Sequence, residues 1–146
     1  MALYSQLGIP VFVVFDADGD KTSDADAHTD YNQAIMRLIG EKPEARPNTS
    51  ILKSGAAWKT TFLDEVIAGF GEDNWRKAFK ASCEEYAIDA DQGRKKYAVV
   101  RRAVELLLAS QQNCAVLDSL WKAISARFGL EAPALPTAAA VPAAAS

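Results

Sequence analysis

The sequence predicts an α/β fold whose second half is rich in helices. Five apolar residues, Val11–Phe15, follow one another without alternation, which is typical of a strand with both faces buried in a parallel sheet. Beyond residue 60, four stretches carry apolar residues at helical spacing. With 146 residues, of which 49% are hydrophobic and 24% charged, the chain has the size and composition of one globular domain.

The composition also bears on the class of protein. A net charge of −3 argues against a protein whose whole surface binds nucleic acid, although a local basic strip is compatible with it. No apolar run is long enough to cross a bilayer, and no secretory signal is present. The two cysteines form no metal-binding or redox motif. We therefore expect a cytoplasmic protein that has no membrane partner.

The first half is predicted to hold a strand, a loop, a helix and a second strand. The strand Val11–Phe15 leads into the polar stretch "DADGDKTSDADAHTD". Apolar residues on one face predict a helix that begins at Asp26 or Thr29 and ends before Gly40. The stretch "SILKSG" is expected to form a short second strand.

The second half is predicted to form four helices. Thr60 or Thr61 can cap the first and Asp73 the second, while Gly129 can end the last. The residues expected to face the core are, helix by helix, Phe62, Val66, Ile67 and Phe70; Trp75, Phe79, Cys83 and Tyr86; Tyr97, Val100, Val104, Leu107 and Leu108; and Val116, Leu120, Trp121, Ile124 and Phe128. The Ala/Pro-rich stretch 130–146 is expected to be a disordered tail.

A strand buried on both faces requires neighbouring strands, because unpaired backbone groups in the interior are costly. The sequence offers at most one weak partner, and residues 2–6 are expected to be a helical turn. We therefore expect the chain to start inside a larger domain. Residues 1–55 would form a partial α/β segment, residues 56–129 its helical part, and residues 130–146 the tail.

Three aspartates follow the first strand at every second position: Asp16, Asp18 and Asp20. In extended backbone Asp16 and Asp18 would point the same way, at the sheet edge where α/β proteins bind ligands. Carboxylates packed together repel one another unless a cation neutralises them, and hard oxygen ligands suit Mg²⁺, Mn²⁺ or Ca²⁺. The alternative is a solvated turn whose aspartates accept backbone N–H groups.

Two metal or phosphate motifs can be compared with this loop directly. An EF-hand loop that starts at Asp16 would need glycine at its sixth position and glutamate at its twelfth, where Lys21 and Ala27 stand. The loop also resembles the start of haloacid-dehalogenase-type phosphotransferases. That resemblance implies Asp16 as nucleophile and Asp18 as acid/base. However, Asp20 replaces the usual threonine or valine, and no later acidic pair is found.

A third resemblance covers residues 7–128. The segments "LGIPVFVVFDADGDK", "DYNQAIMRLIGEKPE", "AAWKTTFLDEVIAGFGEDNW" and "GRKKYAVVRRAVELL" occur in this order. Together they resemble the Toprim region of overcoming-lysogenization-defect (OLD) family nucleases. The resemblance implies a partial Toprim (Rossmann-like) domain with a helix-rich C-terminal half, from an endonuclease that cuts DNA with Mg²⁺ or Mn²⁺.

The resemblance also implies roles for individual residues. The acids expected to hold metal are Asp16, Asp18 and Asp20, with Asp64 or Glu65 at a second site; the lysine expected near the scissile phosphate is Lys95 or Lys96. Two metals would activate water and stabilise the leaving oxygen. For Asp64 and Glu65 the alternative is that they are first-turn acids stabilised by the helix dipole.

A basic stretch provides the expected DNA contacts, which are Arg94, Lys95, Arg101 and Arg102. On a helix, Lys95 and Arg102 would lie opposite the predicted core face. Cations at the start of a helix oppose its macrodipole, which favours a phosphate-facing role. The alternative is an ordinary solvated helix face.

The sequence departs from the OLD pattern in two respects. The family carries a glutamate on its first strand and an ATPase domain before the Toprim region, and neither that strand nor a G-x-x-x-x-G-K-[ST] loop is found. We therefore expect a catalytically incomplete chain whose partners are DNA and an upstream ATPase/Toprim segment. A non-catalytic interaction module, for example a homo-oligomer, is the alternative from another class.

Overall fold

A computed structural model describes residues 7–21 and 23–130, and this part of the chain is a mixed α/β structure. Its elements are β1 (Val13–Asp16), α1 (Ala25–Leu38), β2 (Ser50–Ile51), β3 (Gly55–Trp58), α2 (Phe62–Phe70), α3 (Glu72–Glu85), the short α4 (Ala90–Gly93), α5 (Tyr97–Ala109) and α6 (Ala115–Phe128). The helical turn expected at residues 2–6, and the tail from residue 131 onward, lie outside the described residues.

The three strands form a small mixed sheet with the order β1-β3-β2. β1 runs parallel to β3, and β2 runs antiparallel to it. β3 was not predicted, because its sequence "GAAW" consists mostly of small residues that have little preference for strands. Glycine is required at its first position, since a Cβ atom at Gly55 would lie 2.6 Å from the carbonyl oxygen of Val13.

The strand buried on both sides is β3 and not β1, so the burial predicted for the first strand is wrong. All four residues of β3 are buried. In β1, half-buried and exposed residues alternate, and Val14 is 44% exposed. The reason is position, because β3 occupies the middle of the described sheet and β1 lies at its edge.

Helix α2 agrees with the sequence prediction, and the start of α3 does not. Thr61 caps α2 by accepting the N–H of Asp64. α3 begins at Glu72 with Gly71 at the capping position, so the expected cap at Asp73 is wrong. Gly71 adopts a φ of 84°, which lets the chain turn between the two helices within one residue.

Helices α2, α3, α5 and α6 share one hydrophobic core. Its buried members are Val66, Phe70, Trp75, Phe79, Cys83, Val99, Ala103, Leu107 and Cys114. On α5 the buried row runs through Val99 and Ala103, whereas Tyr97 and Leu108 are 78% and 49% exposed. These two core predictions are wrong because apolar residues cover more than one face of α5, and small Ala103 is the residue that faces the core.

The other exposed members of the predicted core faces are Tyr86, Trp121 and Phe128, which are 44%, 41% and 39% exposed. Tyr86 follows the last residue of α3, and Phe128 is the last residue of α6. In the described residues, no helix is both long and apolar enough to cross a bilayer.

Gly93 fixes the path of the chain into the basic segment. A Cβ atom at this position would lie 2.8 Å from the Sγ of Cys83 and 2.9 Å from the ring of Phe79. The short helix α4 can therefore lie directly on α3 only with glycine here. This contact sets where Arg94 and the two lysines after it leave the core.

Candidate functional site

Asp16 is the last residue of β1, and its carboxylate contacts the start of α2. Its Oδ1 accepts the N–H of Phe62 at 2.8 Å, across 46 residues of sequence. The partial positive charge at a helix N-terminus favours a carboxylate there. Trp58 ends the neighbouring strand β3 opposite Asp16, and its ring lies 5.1 Å from that of Phe62.

Asp18 does not continue the strand. Its φ of 50° is left-handed, so the expectation that extended backbone would direct Asp16 and Asp18 the same way is wrong. Its two carboxylate oxygens lie 3.6 Å from Nζ of Lys21 and 3.4 Å from Nδ1 of His28. Asp20 is exposed and has no ion-pair partner among the described residues.

The loop that carries these aspartates is held by contacts to its backbone. The N–H of Gly19 donates to the carbonyl of Lys59 at 2.7 Å, and a Cβ atom at Gly19 would lie 2.8 Å from that same oxygen. Arg46 donates from Nη1 to the carbonyl of Gly19 at 2.8 Å and from Nη2 to that of Lys21 at 3.2 Å. Gly19 is therefore required by a close approach of backbone, while Asp18 adopts the unusual φ.

Asn32 ties the same loop to a second one. It is 4% exposed, and its Nδ2 donates to the carbonyls of Ala17 and Ala45, both at 2.9 Å. Neither Asn32 nor Arg46 was predicted to be a site residue. The sequence signal for Asn32 was its i, i+4 spacing from Met36, an apolar residue that the structure buries. Arg46 gave no such signal, since it lies in a proline-broken loop.

The first turn of α2 carries both candidate acids for the second metal. Asp64 and Thr61 cap each other: the N–H of Asp64 donates to Oγ1 of Thr61 at 3.2 Å, and the Thr61 hydroxyl donates back to Oδ2 at 2.8 Å. Oδ1 of Asp64 accepts from Arg94 at 3.2 Å. Glu65 accepts the hydroxyl of Thr49 at 2.5 Å. These contacts fit the predicted alternative of first-turn acids.

The arginines expected to contact DNA are already paired with acids. Nε of Arg101 donates to Glu105 at 2.8 Å, and Nε of Arg102 donates to Glu85 at 2.8 Å. These hydrogen bonds raise the pKa of both guanidinium groups. Residues 95–96, both lysines, are exposed and lie more than 4.0 Å from any acidic oxygen in the described part of the chain.

Of the candidate acids, Asp16 contacts the start of α2, and Asp64 and Glu65 lie in its first turn, but these acids do not converge on one point. Among residues 7–21 and 23–130, no three His, Cys, Asp or Glu side chains are grouped so that they could hold a metal ion. Carboxylates are the donors that Mg²⁺ and Mn²⁺ prefer, so the chemistry of the acids fits. Their number at any one point does not fit a complete site.

No family model, no curated protein and no solved structure matches the chain.

Proposed function

We propose that this chain contributes the acidic part of a divalent-metal site in a DNA-cleaving enzyme of the Toprim type. The observation that carries the proposal is the 2.8 Å hydrogen bond from the Phe62 N–H to Asp16. It joins the carboxyl end of β1 to the first turn of α2, where Asp64 and Glu65 lie. The resemblance to OLD nucleases implies that acids from these two segments act together.

Cations from the basic segment reach the same helix end. Arg94 binds Asp64 at 3.2 Å, and the exposed lysines at positions 95 and 96 follow it directly. Unpaired lysines attract the phosphates of nucleic acid. A metal-dependent enzyme that cuts a phosphodiester uses acids to hold the metal and cations to bind phosphate, and this neighbourhood supplies both.

A further oxygen ligand is required from outside the described residues, because the acids here do not make a group of three. Asp16 can bind a metal ion together with such a ligand. Its Oδ1 accepts from Phe62, while its Oδ2 has no hydrogen-bond partner in the part of the chain that is described. The first-strand glutamate implied by the OLD resemblance would be a ligand of the required kind.

Titration with Mn²⁺ in a calorimeter tests the metal site. We expect weak binding by the wild-type chain and loss of the heat in Asp16→Asn combined with Asp18→Asn. Asp118→Asn is the matched control, since Asp118 is an exposed acid in the first turn of α6. Equal heats from the double variant and the control would contradict the assignment of the site.

Plasmid nicking with Mn²⁺ tests the activity. The chain alone should nick DNA little or not at all, because one missing proton-transfer group costs about 10²–10⁴-fold in rate. A supplied segment that carries a glutamate-bearing strand should restore nicking, and Asp16→Ala should abolish it again. ATP hydrolysis is not expected under any of these conditions.

The same preparations separate the alternatives. Hydrolysis of p-nitrophenyl phosphate with Mg²⁺, lost in Asp16→Asn, would favour a haloacid-dehalogenase-type phosphotransferase. Failure of both assays, with the supplied segment present, would favour a non-catalytic interaction module.

A further inference from the structure

Residues 94–102 concentrate positive charge on one surface segment, which we call the basic strip. The strip contains no acidic residue, and its basic residues are Arg94, Lys95, Lys96, Arg101 and Arg102. The three arginines are each paired with an acid, at 3.2, 2.8 and 2.8 Å. The two lysines are exposed, and no acidic oxygen of the described residues lies within 4.0 Å of them. Their charges are therefore available to a ligand.

The two lysines do not stabilise the helix that follows them. α5 begins at Tyr97, so both lysines stand at its N-terminal end, where positive charge is unfavourable. The packing of Gly93 against Cys83 and Phe79 fixes the path of the chain just before them. A negatively charged ligand at this place would offset the electrostatic cost.

Two exposed tyrosines adjoin these charges. Tyr97 follows the lysines directly and is 78% exposed, the most of any large apolar residue in the described chain. Tyr86, which follows the last residue of α3, is 44% exposed. The hydrogen bond to Glu105 is the main cause that raises the pKa of Arg101. The two tyrosines also raise it, which places both phenol groups in the neighbourhood of this guanidinium.

We infer that Tyr97 stacks on an unpaired base of single-stranded DNA whose phosphates contact Lys95 and Lys96. Surfaces that bind single strands combine cations, which follow the backbone, with exposed aromatic rings on which bases stack. A duplex engages the cations but offers no free base face to the ring along its length. The inference rests on the proposed function for the choice of DNA, and it adds a preference for single strands.

The basic strip begins beside one of the proposed metal acids. Arg94 donates to Asp64 at 3.2 Å. Tyr97 follows Arg94 in the chain by a distance of at most about 11 Å, even in extended backbone. A strand that stacks on Tyr97 therefore passes close to Asp64. We accordingly expect the enzyme to cut DNA next to unpaired bases.

Binding of a labelled oligothymidylate, measured by fluorescence anisotropy in EDTA, tests the stacking without metal or catalysis. Tyr97→Ala should raise the Kd by at least about fivefold, the low end of what one stacked base contributes. Tyr97→Phe keeps the ring and should bind like wild type. Tyr31→Ala is the matched control, because Tyr31 is 69% exposed on α1, which carries no part of the basic strip.

The salt dependence of the same binding tests the two lysines. Lys95→Gln combined with Lys96→Gln should reduce the slope of log Kd against log salt by about 1.4, since each phosphate contact on a single strand contributes about 0.7. Lys77→Gln combined with Lys122→Gln removes the same charge from exposed positions on α3 and α6, and should leave the slope unchanged. Circular dichroism checks that all variants keep the native fold.

Three results would overturn the inference. The first is no binding of the oligothymidylate by the wild-type chain. The second is an equal Kd for Tyr97→Ala and wild type. The third is a duplex of the same length that binds as tightly as the single strand. The proposed function fails separately: binding that depends on Tyr97 supports the inference even where no Mn²⁺-dependent nicking is found.

Discussion

A single carboxylate, that of Asp16, has a structural role that can be measured apart from any role in metal binding. It caps α2 through one oxygen, Oδ1, by accepting the N–H of Phe62. Asparagine keeps a side-chain oxygen that can accept the same hydrogen bond, and alanine does not. The two substitutions therefore separate the cap from the charge.

We predict that Asp16→Ala lowers the free energy of unfolding by about 1 kcal/mol, the usual cost of a lost helix cap. Asp16→Asn should cost well under half of that, while abolishing Mn²⁺ binding in the calorimeter. Urea melts of both variants provide the measurement. If Asp16→Asn destabilises the chain as strongly as Asp16→Ala, the negative charge and not the hydrogen bond is what stabilises α2.

The thiol of Cys83 gives a prediction that depends on pH. Burial raises its pKa above the ordinary 9.0, and the nearby carboxylates of Asp89 and Glu84 add to the effect. Above about pH 9 the unfolded chain loses this proton while the folded chain keeps it, so stability falls as pH rises. We expect denaturant melts to show this loss between pH 8 and 10, and to show less of it in Cys83→Ala. The same slope in both chains would contradict the prediction.

At this scale the sequence identified which residues are acidic, but not how they are held. That Asp16 would end a strand follows from the apolar run before it. The contacts of Arg46 and Asn32 to the loop span 15 to 27 residues, and no local pattern encodes them. The left-handed Asp18 was also missed, because Asp16 and Asp18 were both expected to lie in extended backbone.

Among the elements, α3 contributes most of the aromatic part of the core. Trp75 and Phe79 are 5% and 9% exposed, and their rings stack with centroids 5.9 Å apart. They face the row of α5 that includes Val99 and Ala103. This packing makes the α3–α5 pair the main support of the helical half.

We predict that Trp75→Ala or Phe79→Ala costs about 3–5 kcal/mol of unfolding free energy, because each leaves a large cavity. Tyr97→Ala is the aromatic control, since Tyr97 is 78% exposed, and it should cost less than about 0.5 kcal/mol. Denaturant melts compare the three. A loss for Tyr97→Ala that equals the others would place that ring in the core after all.

Helices were predicted better than strands for physical reasons. α2 carries its own cap, apolar stripe and terminal glycine, so local sequence is enough to define it. β3 is defined by what surrounds it, because Gly55 leaves room for the carbonyl of Val13 and the side chain of Ile39, and the two alanines after it are completely buried. The core face of α5 was predicted incorrectly at Tyr97 and Leu108 for a similar reason, since the partner helix decides which stripe is buried.

Across the whole molecule, the sheet and the helices should unfold together. The predicted α/β segment and the predicted helical part meet at residue 55, where β3 begins, and β3 bonds to both β1 and β2. The hydrogen bond between Asp16 and Phe62 crosses the same division. Independent domains usually meet at a boundary that few contacts cross, and the two described parts have no such boundary at this point.

We predict one cooperative transition for the described fold. Of the three tryptophans, Trp58 reports on the sheet and Trp75 on the helical core. In a chain that retains only one of the three tryptophans, either Trp58 or Trp75, fluorescence and circular dichroism should give the same denaturant midpoint. Separate midpoints would show that the sheet and the helices are independent units.

The small residues of β3 also bear on how this protein can diverge. A side chain at Gly55 would collide with the neighbouring strand, and Ala56 and Ala57 have no exposed surface. Enlarging Gly55 would force β1 and β3 apart, and with them the edge that carries Asp16, while enlarging either alanine would displace the groups packed on the faces of the sheet. We therefore expect few tolerated substitutions in the middle of the sheet and many on the exposed helix surfaces. Distant homologues should be easier to find by the spacing from the aspartate loop to this run of small residues than by the aspartates alone.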